Sequence, residues 1–134
     1  MARETRKTLS KSRLMKGHQC EKSLYLELHS PGLASTLSAS DEARFKEGTL
    51  VGEEARKSFK NGVLITFENG DFKKAADDTN RAIEQGATAI FEATFLIENY
   101  VVKVDVLKRD HKKGQWELIE VKSSTRVKPE YIPD

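Results

Sequence analysis

The stretch that decides the fold is TAIFEATFLIENYVVKVDVLKRDHKKGQWELIEVK, residues 88–122. Three runs in it, Thr88 to Ile97, Tyr100 to Leu107 and Trp116 to Val121, are rich in β-branched and aromatic residues. Glu98-Asn99 suits a two-residue hairpin loop. The polar segment Lys108 to Gln115, with Gly114, suits a longer one. The expectation is a three-stranded antiparallel meander. The second and third runs are apolar at odd and even positions alike, as in strands covered on both faces.

Outward from the meander, the chain reads as helices and one short strand. Ser10 can cap a helical segment through Leu14, Met15, Leu24, Tyr25 and Leu28 that stops at Pro31-Gly32. After a Ser/Thr/Ala loop, Asp41 can cap a second helix to about Phe59, closed by Asn61-Gly62. Val63 to Phe67 is a strand candidate, and Asn69-Gly70-Asp71 turns the chain. Phe72 to Gln85 reads as a polar helix ended by Gly86. The predicted class is α/β in the α+β sense: helices packed on a mostly antiparallel sheet. One domain spans residues 1–134, with 1–8 frayed.

Composition sets the outer limits. Hydrophobic residues make up 37% and charged residues 33%, which suits an ordinary globular domain. No run approaches the ~20 apolar residues of a membrane span. The N-terminus lacks the apolar core of a secretory signal. The single cysteine, Cys20, excludes an internal disulfide framework and points to a reducing, cytoplasmic compartment. Net charge is +2, but residues 1–30 hold seven basic and three acidic side chains, while 61–98 hold three basic and seven acidic. The basic arm, with Lys11, Arg13 and Lys16, suits a phosphate backbone, and equally a solvated helix face.

Two acids interrupt the apolar strands: Asp105 in VVKVDVL and Glu120 in WELIEVK. Charge in a covered strand is costly unless it is paired or bound to metal. With Glu98-Asn99 as the loop, Ile97 faces Tyr100 and Glu92 lies across from Asp105. With Leu107 facing Trp116, Lys103 faces Glu120 and Asp105 faces Leu118. Opposed residues share a face. Glu92, Asp105, Glu120 and Lys122 then project from one face of three adjacent strands, and a two-residue slip preserves the cluster. Three carboxylates and an amine suit Mg²⁺ or Mn²⁺. The alternative is a set of plain ion pairs, such as Lys103 with Glu120 or Glu120 with Lys122. Asp/Glu-x-Lys also occurs at Asp71 and Asp110, so the tripeptide alone is unspecific. His18, His29 and His111 lack metal-ligand spacing and read as surface or packing residues. Ser123-Ser124-Thr125 suits either phosphate contact or a solvated strand end.

An acid on one strand followed by Glu-x-Lys on the next resembles the PD-(D/E)XK nuclease superfamily. Three stretches look more specifically like the RecB-type exonuclease group, which includes CRISPR-associated relatives, and above all like an uncharacterised bacterial branch of it. They are LSKSRLMKGHQCEKSLYLE (Leu9 to Glu27), GTLVGEEAR (Gly48 to Arg56), and FEATF with VDVL and LIEVKSST. The resemblance implies a restriction-endonuclease-like core and metal-dependent hydrolysis of DNA, or of RNA. It implies that Asp105, Glu120 and the Val121 carbonyl bind the cation and that Lys122 positions the attacking water. It implies a helical acid aiding the metal through water. Glu54 is chosen for that role, with Glu53 as runner-up and a plain surface glutamate as the alternative. Glu92 joins the candidate ligands through the register.

There are departures from the group's pattern. Many members carry His where this chain has Gly52. Members usually continue past Glu-x-Lys into a supporting helix, so the chain reads as the N-terminal part of a longer protein or a short, degenerate member. Cys20 fits one ligand of the iron–sulfur cluster held by several relatives, but four thiolates cannot come from one cysteine. A small buried role is expected for Cys20 instead.

Overall fold

The structure is a computed structural model that describes residues 7–132. Residues 1–6, part of the stretch expected to be frayed, lie outside the described residues. Thr8, in the same stretch, accepts a 2.6 Å hydrogen bond from Arg13 through its carbonyl. In chain order the elements are β1 (Leu9–Ser10), α1 (Lys11–Gln19), α2 (Glu21–His29), α3 (Ala39–Arg56), β2 (Val63–Leu64), α4 (Phe72–Glu84), β3 (Ala89–Ile97), β4 (Tyr100–Asp110) and β5 (Gln115–Ile119). Short 3-10 turns occupy Pro31–Leu33 and Pro129–Tyr131. The class is α+β, and among the described residues no helix is long and apolar enough to cross a membrane.

The β3–β4–β5 meander forms as expected, but the whole sheet is mixed rather than mostly antiparallel. The dipeptide strands β1 and β2 pair parallel to β4 and β3 respectively. The reason is connectivity. From β2 the chain passes through α4 before entering β3, and a crossover of this kind delivers parallel neighbours. The candidate strand Val63 to Phe67 shrinks to Val63–Leu64. The first hairpin keeps the predicted register, with Ile97 opposite Tyr100. The second differs by two residues: Arg109, not Leu107, faces Trp116, and Leu107 faces Leu118. Strand β4 runs on to Asp110, so the loop is four residues rather than eight. Side-chain faces survive this slip because the strand period is two.

Strict alternation fails at one level of the sheet. Ile90 and Ala93, three residues apart, both pack in the cluster under α4, and so do Val104 and Leu107. Between them, Phe91 and Val106 pack on the opposite side with Phe59, Ile119 and Val121. Glu92 takes φ 56°, and the β3–β4 ladder omits only the Glu92–Asp105 level. Both strands are therefore kinked at the same height. Asp105 and Val106, consecutive residues, line one cavity. Val102, Val104 and Val106 consequently do not share a buried face: Val104 and Val106 pack in different clusters, and Val102 is exposed.

The helices differ in how they meet the sheet. Asp71 caps α4 by accepting the Lys74 amide, and Ala75, Thr79 and Ala82 form its buried stripe. These small residues let the helix approach closely. The fully buried Thr79 Oγ1 donates to the Ala75 carbonyl and accepts the Thr94 amide, both at 2.9 Å. By contrast α3 buries no residue, and Phe45 and Leu50 are exposed. Its cap is Ser38 rather than Asp41. Asp41 completes a capping box with it, so the helix begins three residues early. The predicted N-terminal helix breaks at Cys20, whose backbone is extended (φ −161°), into α1 and α2. Cys20 is consequently exposed at the bend rather than buried.

Candidate metal centre

A cavity of about 170 Å³ lies between α3 and the kinked level of the sheet. Gly48, Thr49, Gly52 and Arg56 form its helical wall, and Glu92, Asp105, Val106 and Val121 its floor. Positions 48, 52 and 56 are spaced four apart and share one helix face. The two glycines there do not serve close packing. A Cβ built on either meets nothing within 4 Å. Their missing side chains leave open space above two carboxylates. Gly52, the position where the resembled group often carries His, lies on this wall.

Asp105 is half-buried, and its Oδ2 accepts the Val121 amide at 2.7 Å. Burial is the largest influence on its carboxyl and raises the pKa above the ordinary aspartate value. The Val121 bond opposes that rise, while the Glu120 and Glu92 charges add to it. Both glutamates therefore act on Asp105 electrostatically. Glu92 bonds Arg56 at 2.9 Å and Lys103 at 3.2 Å. Glu120 bonds Lys11 at 2.9 Å and Lys122 at 3.0 Å. Lys103 bonds Glu92 rather than Glu120, the partner that the unshifted second hairpin would have placed opposite it.

The site residues expected from sequence are thus partly assembled. Glu92 and Asp105 face one cavity, with Val121 beside them. Glu120 and Lys122 line the adjoining open hollow, so the four groups do not share one enclosed space. Val121 packs with Phe91 and Val106 on the α3 side, and alternation turns its two neighbours away from it. Glu54 is not in the cavity: it is 73% exposed and bonded to Lys57. It follows Gly52 by two residues, which places it about 200° around the helix. Glu53 is exposed as well.

The basic arm is not open. Arg13 and Lys16 both bond Glu27, and these two bonds, Lys16 first, hold the Glu27 carboxyl below its ordinary value. Lys11 bonds Glu120 and so belongs to the candidate centre. Sequence reasoning missed Arg56, although its place one turn after Gly52 was a usable signal. His18, His29 and His111 are exposed, and His29 stacks on Tyr25.

The available donors are hard oxygens, which suit Mg²⁺ or Mn²⁺ rather than a thiophilic metal. Among the described residues, no group of three or more His, Cys, Asp or Glu side chains is placed to hold an ion. Among the described residues, at most two such side chains could therefore share an ion. Mg²⁺ is commonly held by one or two carboxylates, with water and substrate phosphate completing its shell. Comparison of the chain with protein-family models, with curated proteins and with solved structures gives no match.

Proposed function

We propose that this protein is a metal-dependent nuclease domain with a restriction-endonuclease-like core, hydrolysing DNA phosphodiester bonds. The observation that carries the reading is the Asp105–Val121 hydrogen bond. It ties the half-buried acid of β4 to the strand end that bears Glu120 and Lys122. In this reading Asp105, Glu120 and the Val121 carbonyl hold Mg²⁺ or Mn²⁺. The ion supplies charge that polarises a phosphoryl oxygen and acidifies water. Lys122 orients the attacking water and offsets negative charge developing on the phosphoryl group. Glu92, held by Arg56 and Lys103, adds negative potential to the cavity.

The test uses linear and single-stranded DNA with Mn²⁺ or Mg²⁺. Cleavage is expected from the wild type, with Asp105→Ala and Lys122→Ala each lowering the rate by about 10²–10³. Equal cleavage by the variants, or none by the wild type, overturns the reading.

A second reading is favoured by a specific observation: Glu92 and Glu120 each already contact two cationic side chains. In it the fold is nuclease-like but non-catalytic, binding nucleic acid or a protein while its sheet acids stay ion-paired. Calorimetric titration with Mn²⁺ separates the two. Binding that disappears in Glu120→Gln supports the enzyme, and no heat of binding supports the module.

A further inference from the structure

Beyond the acids, the chain runs Lys122 to Tyr131 along the surface. Two adjoining hollows of about 410 and 610 Å³ open there, and both are walled by Lys122, Ser124, Thr125 and Arg126. Lys128 lines the larger and Tyr131 the smaller. Among the described residues that line the two hollows, the acids are Glu120, which already contacts Lys11 and Lys122, and Glu47 from α3.

Several cations of the basic surface are committed to carboxylates, whereas two of those along this segment are not. Lys11, Arg13, Lys16, Arg56, Lys103 and Lys108 each contact a carboxylate. Among the described residues, Arg126 and Lys128 contact none. Ser124 shapes the turn by donating to the Arg126 carbonyl at 2.8 Å, while the Ser123 and Thr125 hydroxyls are exposed. The Lys122 and Lys128 ammonium groups lie 5.5 and 5.8 Å from the centre of the Tyr131 ring. Cations without carboxylate partners, hydroxyl donors and an aromatic ring along one open groove match a polyanion that also carries flat rings.

We propose that the Lys122–Tyr131 segment is a groove for the sugar–phosphate backbone of a single nucleic-acid strand, with Arg126 and Lys128 contacting phosphates and Tyr131 stacking on a base. Backbone contacts of this kind are sequence-independent and weaken with salt, and stacking tolerates any base. The groove starts at the Glu120–Lys122 pair, so a strand lying in it passes the candidate centre. The proposal rests on the nuclease reading for its choice of ligand, but it needs no catalysis.

The experiment is fluorescence anisotropy of a labelled oligothymidylate in EDTA, over a salt series. The wild type is expected to bind with an affinity that falls with salt. Arg126→Ala/Lys128→Ala is expected to weaken binding and to reduce the slope of log affinity against log salt by about 1.4, the value for two lost single-strand phosphate contacts. Tyr131→Leu is expected to weaken it by about fivefold or more without changing the slope. Lys112→Ala/Lys113→Ala, on the far turn, removes the same charge and is expected to bind as the wild type does. Circular dichroism confirms that each variant is folded. Equal losses in the two double variants, no loss in the first, or no binding by the wild type overturns the proposal. Metal-dependent cleavage is measured separately. Binding through Arg126 and Lys128 without cleavage upholds the groove and removes the nuclease reading. Cleavage with full binding by Arg126→Ala/Lys128→Ala does the reverse.

Discussion

Desolvation is the largest influence on Asp105, and the Val121 amide only partly offsets it. An acid whose pKa is higher in the folded state binds more protons folded than unfolded. Its contribution to stability is therefore greatest below the unfolded value, near pH 4, and is lost as pH rises through the raised folded value. Asp105→Asn keeps an oxygen to accept the Val121 amide and removes the charge. It is expected to match or exceed wild-type stability at pH 7, by less than about 1 kcal/mol. The advantage disappears in acid. Urea unfolding at pH 7 and pH 4 measures this, and a clear loss at pH 7 contradicts the account. Glu92 shows a second residue-scale cost: its left-handed backbone in mid-strand disfavours any L-residue by ~1–2 kcal/mol. Its bonds to Arg56 and Lys103 hold it there.

Among the elements, the junction between α3 and β2 depends on one close approach. A Cβ on Gly62 falls 2.3 and 2.4 Å from atoms of the Phe91 ring. Phe91 is buried against Phe59 and Val106, so the ring cannot simply swing aside. Gly62→Ala is expected to destabilise by about 1–3 kcal/mol through overpacking, read as a lower urea midpoint. Gly52→Ala, on the open wall of the cavity, is expected to be neutral or stabilising by up to ~1 kcal/mol, because its Cβ meets nothing and the helix gains a better former. If both substitutions cost the same, the contrast between close contact and open space is wrong. The α3 and α4 helices illustrate the same physics. Small buried residues bring α4 onto the sheet, whereas glycines facing a cavity leave α3 standing off it.

For the whole molecule, the candidate centre joins three parts of the chain: α1 through Lys11, α3 through Arg56, and the meander through its acids. A divalent ion bound by Asp105 and Glu120 competes with Lys11 and Lys122 for the Glu120 carboxylate. Binding to the folded state alone, at a hundred times Kd, stabilises by about 2.7 kcal/mol. Mn²⁺ is therefore expected to raise the wild-type melting temperature by several degrees and to leave Glu120→Gln unchanged. An identical rise in both proteins places the ion elsewhere.

Much of this architecture was legible in local patterns. The three β-runs, the Glu98-Asn99 loop and the Phe72-to-Gly86 helix follow from side-chain period and turn chemistry, which act within a few residues. So does the placing of Glu92 level with Asp105, because a two-residue loop leaves little freedom of register. The longer second loop left more freedom, and the register there shifted by two. Tertiary structure alone decided the rest. It set the parallel pairing of β1 and β2, the matched kinks at Glu92 and Asp105, and the break at Cys20. It also turned Glu54 outward and Arg56 inward, and committed Arg13 and Lys16 to Glu27. Those outcomes depend on which distant groups meet, and the energies of distant contacts leave no periodic trace along the chain.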